Sequence, residues 1–221
     1  MTKKVVVIFG GSGGIGRALR QRLAGKMIVY ATDRTKPLKC DVTKEREVRR
    51  VFRSVVKAEG RIDVVINVTV AKLKLRPFAE LGSDDYWEDL RTNTLGGINI
   101  IKNAVPAMQK TGGLIISFLS KTVGEEGVPP PRMASYLTSK YALRGFIKCA
   151  REELKKSRIR LLTVSPSFVE TKLIAAFPPK LLELERGKLP GKRFVAPQDI
   201  AILVSKIITG PLSRYPEDIT I

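Results

Sequence analysis

The chain has 221 residues, 43% hydrophobic and 28% charged, enough for one sizeable domain with a full core. No apolar run approaches the ~20 residues of a membrane span, and two cysteines with no histidine leave neither a disulfide framework nor a zinc spacing. The composition therefore predicts a single, metal-free, cytoplasmic domain over 1–221. Its net charge of +19 admits an anionic ligand or an acidic protein partner. The basic residues are interleaved with acids, as in Lys44-Glu45-Arg46-Glu47, and form no tail or signature of a nucleic-acid binder.

Taken in order, Lys3 to Phe9 is a β-branched run that reads as a strand. It ends in Gly10-Gly11-Ser12-Gly13-Gly14-Ile15-Gly16, after which Ala18, Leu19, Leu23 and Ala24 repeat at helical spacing. A strand, a glycine turn and a helix in that order let backbone N–H groups at the helix N-terminus approach a pyrophosphate, because glycine has no Cβ in the way. A tight surface turn is the plainer alternative. Met27 to Thr32 predicts a second parallel strand ending on Asp33-Arg34. A carboxylate at that tip is placed for a ribose 2′-hydroxyl, whereas Arg34 would pair with a 2′-phosphate. Asp33 would repel that phosphate, which favours NAD over NADP. Only eight residues carry the chain from Asp33 to Asp41, too few for a crossover helix, so a loop is expected there.

Asp41-Val42-Thr43 precedes an amphipathic helix with Val48, Val51, Phe52, Val55 and Val56 on one side. Asp63 to Asn67 is a buried strand with a polar tip. Ser83 reads as the N-cap of one long helix running to Met108, with Asp84 and Asp85 in its first turn and Asn93 inside it. Leu114 to Leu119 is a strand ending at Ser120. Lys121 to Pro131 is a loop, and Tyr136 opens or precedes a helix through Leu154. Arg160 to Val164 is a strand that runs into Ser165-Pro166-Ser167-Phe168-Val169-Glu170-Thr171. Residues 172–197, punctuated by Pro178, Pro179, Gly187, Pro190 and Gly191, break the rhythm and form a candidate substrate lid. A helix from Gln198 to Ile208 and a short edge strand over Glu217 to Ile221 complete the chain. The alternation predicts an α/β, doubly wound parallel sheet covered on both faces.

Tyr136 and Lys140 lie four apart on one helix face, where the ammonium would favour the phenolate and make Tyr136 a proton donor. With five tyrosines in a lysine-rich chain, Tyr-x-x-x-Lys carries weight only through its surroundings. Those surroundings are Gly10-x3-Gly14-Ile15-Gly16, Asp41-Val42, Asn67, Asn93, Ser120 and Pro166 through Thr171, each at a strand tip or on a helix. In this order the motifs resemble the short-chain dehydrogenase/reductase family along essentially the whole chain.

The resemblance implies a three-layer Rossmann sheet and a catalytic group of Asn93, Ser120, Tyr136 and Lys140. For the cofactor, NAD or NADP, it implies binding by Gly10, Ser12, Gly13, Gly14, Ile15, Gly16, Asp33, Arg34, Asp41, Val42, Asn67, Val68, Thr69, Tyr136, Lys140, Pro166, Ser167, Val169 and Thr171. The implied activity is interconversion of an alcohol and a carbonyl, with Ser120 orienting the carbonyl. Lys140 would also hold the nicotinamide ribose, and Asn93 would position a water. A homodimer or homotetramer is implied too, and a carrier-bound 3-oxoacyl substrate would suit the basic surface. Departures are Phe9 in a usual Thr place, Asn67-Val68-Thr69-Val70 for the usual Asn-Asn-Ala-Gly, and Ser167 for Gly. They keep a second reading open, a catalytically idle dinucleotide-binding sensor or subunit.

Overall fold

β-Branched and apolar runs form the strands, and glycines or polar tips end them. A computed structural model of the chain describes residues 2–34, 38–124 and 129–221. The middle of the Asp33–Asp41 connection and part of the expected 121–131 loop lie outside the described residues. In chain order the strands are β1 (Val5–Phe9), β2 (Ile28–Asp33), β3 (Leu38–Lys39), β4 (Val64–Asn67), β5 (Gly113–Phe118), β6 (Ile159–Ser165) and β7 (Asp218–Thr220). Among the described residues they form one seven-stranded sheet in the order β3-β2-β1-β4-β5-β6-β7. Every pairing is parallel. The short link after β2 is thus closed by a two-residue strand, with Cys40 N–H donating to the Asp33 carbonyl at 2.6 Å.

The helices are α1 (Gly14–Leu23), α2 (Glu45–Glu59), α3 (Ser83–Asp89), α4 (Gly96–Met108), α5 (Lys121–Gly124), α6 (Ala134–Leu154), α7 (Pro179–Gly187) and α8 (Pro197–Thr209). Strand alternation sends β1 side chains to opposite faces. Val5, Val7 and Phe9 join Val51 and Phe52 of α2, Ile100 of α4 and Leu143 of α6 in one core. Val6 and Ile8 join Leu19 of α1 and Val204 of α8 in the other. This three-layer, doubly wound arrangement is the Rossmann architecture that the alternation predicts. Full burial of each such side chain contributes about 1.5–3 kcal/mol, so the two cores fix the strand tips from which the site is built.

Three stretches differ from expectation: β3 lies in the Asp33–Asp41 link and α5 opens the 121–131 stretch, both expected as loops, and the third is a helix. The helix expected from Ser83 to Met108 is split, with π-helical geometry over Leu90–Leu95 between α3 and α4. Its N-cap is Gly82 and not Ser83: Gly82 N–H donates to the Asp85 carboxylate at 3.0 Å and the Gly82 carbonyl accepts from Asp85 N–H. Asn93 sits in the π-helical segment.

Candidate active site

Strand order reverses between β1 and β4, and in a doubly wound sheet the crevice beyond the strand tips at such a reversal is where ligands bind. Gly10 leaves β1 there with φ +91, a conformation that side chains rarely adopt. A Cβ on Gly10 would stand 3.1 Å from the Val68 and Thr69 backbone beyond β4, one on Gly14 2.4 Å from Thr171 Cγ2, and one on Gly16 2.2 Å from the Gly10 carbonyl oxygen. Gly13 caps α1 with no side-chain hydrogen bond, and the first turn carries no acid. The first N–H groups of α1 and its dipole are therefore free of a competing anion. This bare cradle over Ser12 to Gly16 fits a dinucleotide pyrophosphate, which those residues would hold.

Beside it lies a cavity of ≈ 340 Å³ lined by Ile15, Val68, Thr69, Ser120, Tyr136, Lys140, Pro166, Ser167, Val169 and Thr171, all expected from the sequence. Leu173, Ile174, Phe177, Glu185, Lys188 and Leu189 also line it, so part of the irregular 172–197 segment contributes to its wall. Phe168 anchors that segment, its ring 5.3 Å from Phe177 and 5.6 Å from Phe194, and Val169 pairs with Val195.

Tyr136 and Ser120 both line the cavity, and the Ser120 side chain acts on the phenol, favouring its ionised form. Lys140, 3% exposed, donates to the Phe118 carbonyl at 3.0 Å, and its Nζ stands 5.9 Å from the Tyr136 ring centroid. Asn93 is 1% exposed. Its Oδ1 accepts from Ala71 N–H at 2.8 Å and its Nδ2 donates to Ser139 Oγ at 2.9 Å. The Thr94 hydroxyl donates to the Ser139 carbonyl at 2.7 Å. These bonds tie the π-helical segment to α6 beside Lys140, so the amide that the helical pattern left as a mid-helix residue is a buried strut.

Burial, the largest influence, pushes the Tyr136 phenol up to about 12; the Ser120 side chain opposes this and the Asp89 charge adds to it. Burial likewise pulls the Lys140 ammonium down to about 8, with Asp89 acting in the opposite direction. A buried group resists ionisation whatever its sign, and in the chain alone that outweighs the expected pull of Lys140 on the phenol.

The remaining expected ligands do not line this cavity. Asn67 is buried, and its Oδ1 takes the Thr69 N–H at 3.1 Å and the Thr69 hydroxyl at 2.6 Å, a polar turn that shapes the loop under the glycines. Asp33 closes β2 and accepts from the Arg34 N–H. Asp41 accepts from the Thr43 N–H and hydroxyl, while its own N–H is bonded to Glu47. Burial works to raise the Asp41 carboxyl, but the Thr43 hydrogen bonds and the charges of Arg34 and Lys44 leave it lowered. Val42 is buried, and its Cγ2 would be 2.6 Å from a Cβ on Gly96. Sequence reasoning missed Asp89, Lys74 and Ser139. The available signal was spacing: Asp89 lies one turn before Asn93, an acid on a face that must pack.

The family model of short chain dehydrogenases matches residues 4–181. Carbonyl reductase family member 4 of Danio rerio is 30% identical over 234 residues, spanning 95% of this chain and 94% of the relative. The 3-oxoacyl-[acyl-carrier-protein] reductase of Thermotoga maritima is 29% identical, over 91% of this chain and 88% of its own. In fold, the chain superposes on the crystal structure of a 3-ketoacyl-(acyl-carrier-protein) reductase from Brucella melitensis complexed with NADH. The TM-score is 0.88 at 20% identity, covering 100% of this chain and 97% of that one. With the family model spanning most of its length and the sheet, glycine turn and cavity arranged as described, the chain belongs to the short chain dehydrogenase family.

Proposed function

We propose that this NAD(P)-dependent oxidoreductase interconverts an alcohol and a carbonyl, with Tyr136 as general acid/base. The observation that carries the reading is the convergence of Ser120, Tyr136 and Lys140 on one walled cavity, with the Lys140 ammonium 5.9 Å from the Tyr136 ring centroid. A bound nicotinamide supplies or accepts the hydride. The chain's own residues manage the oxygen. Ser120 donates to the carbonyl oxygen and fixes its direction, and Tyr136 delivers a proton as charge develops there. Lys140 provides the cation beside the phenol and holds the ribose. Asn93, through Ser139, keeps that turn of α6 in place, and positioning a water between Lys140 and solvent is part of the same proposal.

Asp33 at the β2 tip supports NAD over NADP. The apolar lining contributed by Leu173, Ile174, Phe177 and Leu189, together with the +19 charge, supports a 3-oxoacyl chain delivered on an acidic carrier. Turnover of a carrier-bound substrate should then fall steeply with salt while a small ketone is little affected. We also place Trp87, Leu95 and Tyr141, large apolar residues about half exposed, at a contact between copies of one 221-residue domain in a homodimer or homotetramer. Saturable NAD(H) or NADP(H) binding with carbonyl turnover that Tyr136→Phe abolishes is the expected result. Binding without any turnover would favour the idle sensor, a reading to which the raised Tyr136 phenol lends support. Absence of both would end the proposal.

A further inference from the structure

Asp89 is 1% exposed and lies under the active site without lining the cavity. α3 packs on α6, and the chain segments face each other in a constant register. Asn93 bonds Ser139, and a Cβ on Gly97 would touch Leu143 at 2.9 Å. Asp89 lies one turn before Asn93, and Ser135 one turn before Ser139, both buried. Lys74 donates to Asp89 Oδ1 at 3.2 Å and also reaches the exposed Glu88 at 3.0 Å. Among the described residues the second oxygen, Asp89 Oδ2, accepts no hydrogen bond, and neither does the buried Ser135 hydroxyl make one. A buried carboxylate neutralised on one oxygen only keeps an outward field, strong where the surroundings are apolar.

We propose that Asp89, held by Lys74, is a positioning residue that acts as the counter-charge of Lys140 and keeps that buried lysine cationic near neutrality. The inference rests on the reading of Tyr136 and Lys140 as an acid/base pair. Among the described residues Lys140 makes no direct ion pair; its contacts are the Phe118 carbonyl and the Tyr136 ring. A distant carboxylate is then the counter-charge available to it. Charged groups around Asp89 are Lys74 on the loop after β4, Glu88 on α3, Tyr136 and Lys140 on α6, and the Arg76–Asp85 pair one turn before it. Lys121, Glu185 and Lys188 line the cavity that Tyr136 and Lys140 also line, Glu185 and Lys188 being bonded to each other at 2.7 Å. Asp89 acts on both members, raising Lys140 and Tyr136 alike, so it favours the state in which both carry their protons.

The test is a titration of the Lys140 ammonium by NMR on the full chain with labelled lysines, assigned by Lys140→Arg. In Asp89→Asn, Lys140 should release its proton at lower pH than in the parent, with a roughly tenfold change in its dissociation constant. In Lys74→Met the carboxylate is freed of its other cation, and Lys140 should hold its proton to higher pH. The second variant keeps the proposal testable if the first does not fold. A Lys140 curve unmoved in Asp89→Asn, or one that moves down in Lys74→Met, overturns it. The readout needs no turnover, so an inactive parent would count against the proposed reaction and leave this result standing.

Discussion

The glycine turn and the Tyr136 group face the same crevice and are built by different means. At the turn the constraint is local: Gly16 has the Gly10 carbonyl where its Cβ would be, and Gly10 itself has φ +91. At α6 nothing local demands Tyr136 or Lys140. Their protonation states depend on burial and on Asp89, a residue some fifty positions earlier in the chain, and the turn that carries them is tied down by Asn93 and Thr94. A site that holds phosphate can be made of backbone alone, whereas one that moves a proton needs side chains whose charge states are set from elsewhere in the fold. Substitutions at the first should therefore register as stability and binding, and at the second as rate and pH dependence.

The largest expected effect tests the second half of that contrast. Tyr136→Phe removes one hydroxyl and leaves the ring in place, so kcat should fall about a hundred- to ten-thousand-fold with thermal stability and cofactor KM little changed. An equal loss in cofactor binding would show that the two regions are not separable. Next is Lys140→Met. The folded-state ammonium is lowered to about 8 from 10.5. Between those values the unfolded chain binds a proton the folded chain has lost, so this group makes stability rise with pH through that window. Below pH 8 its full cost, about 3 kcal/mol, is present. The stability of Lys140→Met relative to the parent should be greatest below pH 8 and decline toward pH 10.5, read by denaturant unfolding across pH. The raised Tyr136 phenol acts with the opposite sign between 10 and about 12 and is common to both proteins, so it drops out of the difference. Cofactor affinity should fall as well, since Lys140 is also placed to hold the ribose.

The same contrast decides what could be read from the sequence. The strands were legible because buried parallel strands are continuous apolar runs, and the glycine turn because Gly10, Gly11 and Gly16 answer contacts within a few residues or to a neighbouring strand, whereas the Gly14 contact with Thr171 is long-range. The grouping of Asn93, Ser120, Tyr136 and Lys140 came from the resemblance of the motif order to a family; Ser120, Tyr136 and Lys140 line one cavity, and Asn93 is bonded to Ser139 beside it. What escaped was long-range. The break of the expected Ser83–Met108 helix into α3, a π-helical segment and α4 has no local glycine or proline signal at Leu90–Leu95. The segment joins α6 through Asn93 and Thr94. Asp89 drew no reading from the sequence, because it is the packing of α3 on α6 that buries it. The 172–197 segment was legible as irregular, and its walls were not, since they are set by the Phe168, Phe177 and Phe194 cluster.

At the glycine turn two substitutions of equal size should behave differently. Gly16→Ala sets a methyl against backbone, and Gly14→Ala sets one against the Thr171 methyl; each should cost about 1–3 kcal/mol of stability. Thr171→Ser removes Cγ2 and keeps the hydroxyl that accepts from Leu173 N–H at 3.3 Å. It should restore most of the loss in Gly14→Ala and none in Gly16→Ala, a cycle measurable by thermal unfolding. Rescue of both would mean that the turn shifts as a unit and is less rigid than its contacts imply.

The smallest expected effect bears on the rim of the cradle, where backbone and side-chain logic meet. Asp33 ends β2 with its carboxylate turned to the Arg34 N–H, and the Arg34 charge acts on Asp41. Removing the Asp33 carboxylate deletes a ribose acceptor and an anion that a 2′-phosphate would have to approach, while Arg34 remains to meet that phosphate. Asp33→Ala should therefore weaken NADH and strengthen NADPH, moving the ratio of their dissociation constants about tenfold, ~1.4 kcal/mol, as read by fluorescence titration. Asp33→Ala with Arg34→Ala should return part of the change, because the phosphate's partner goes too. An unchanged ratio in both would place the choice of cofactor outside the β2 tip.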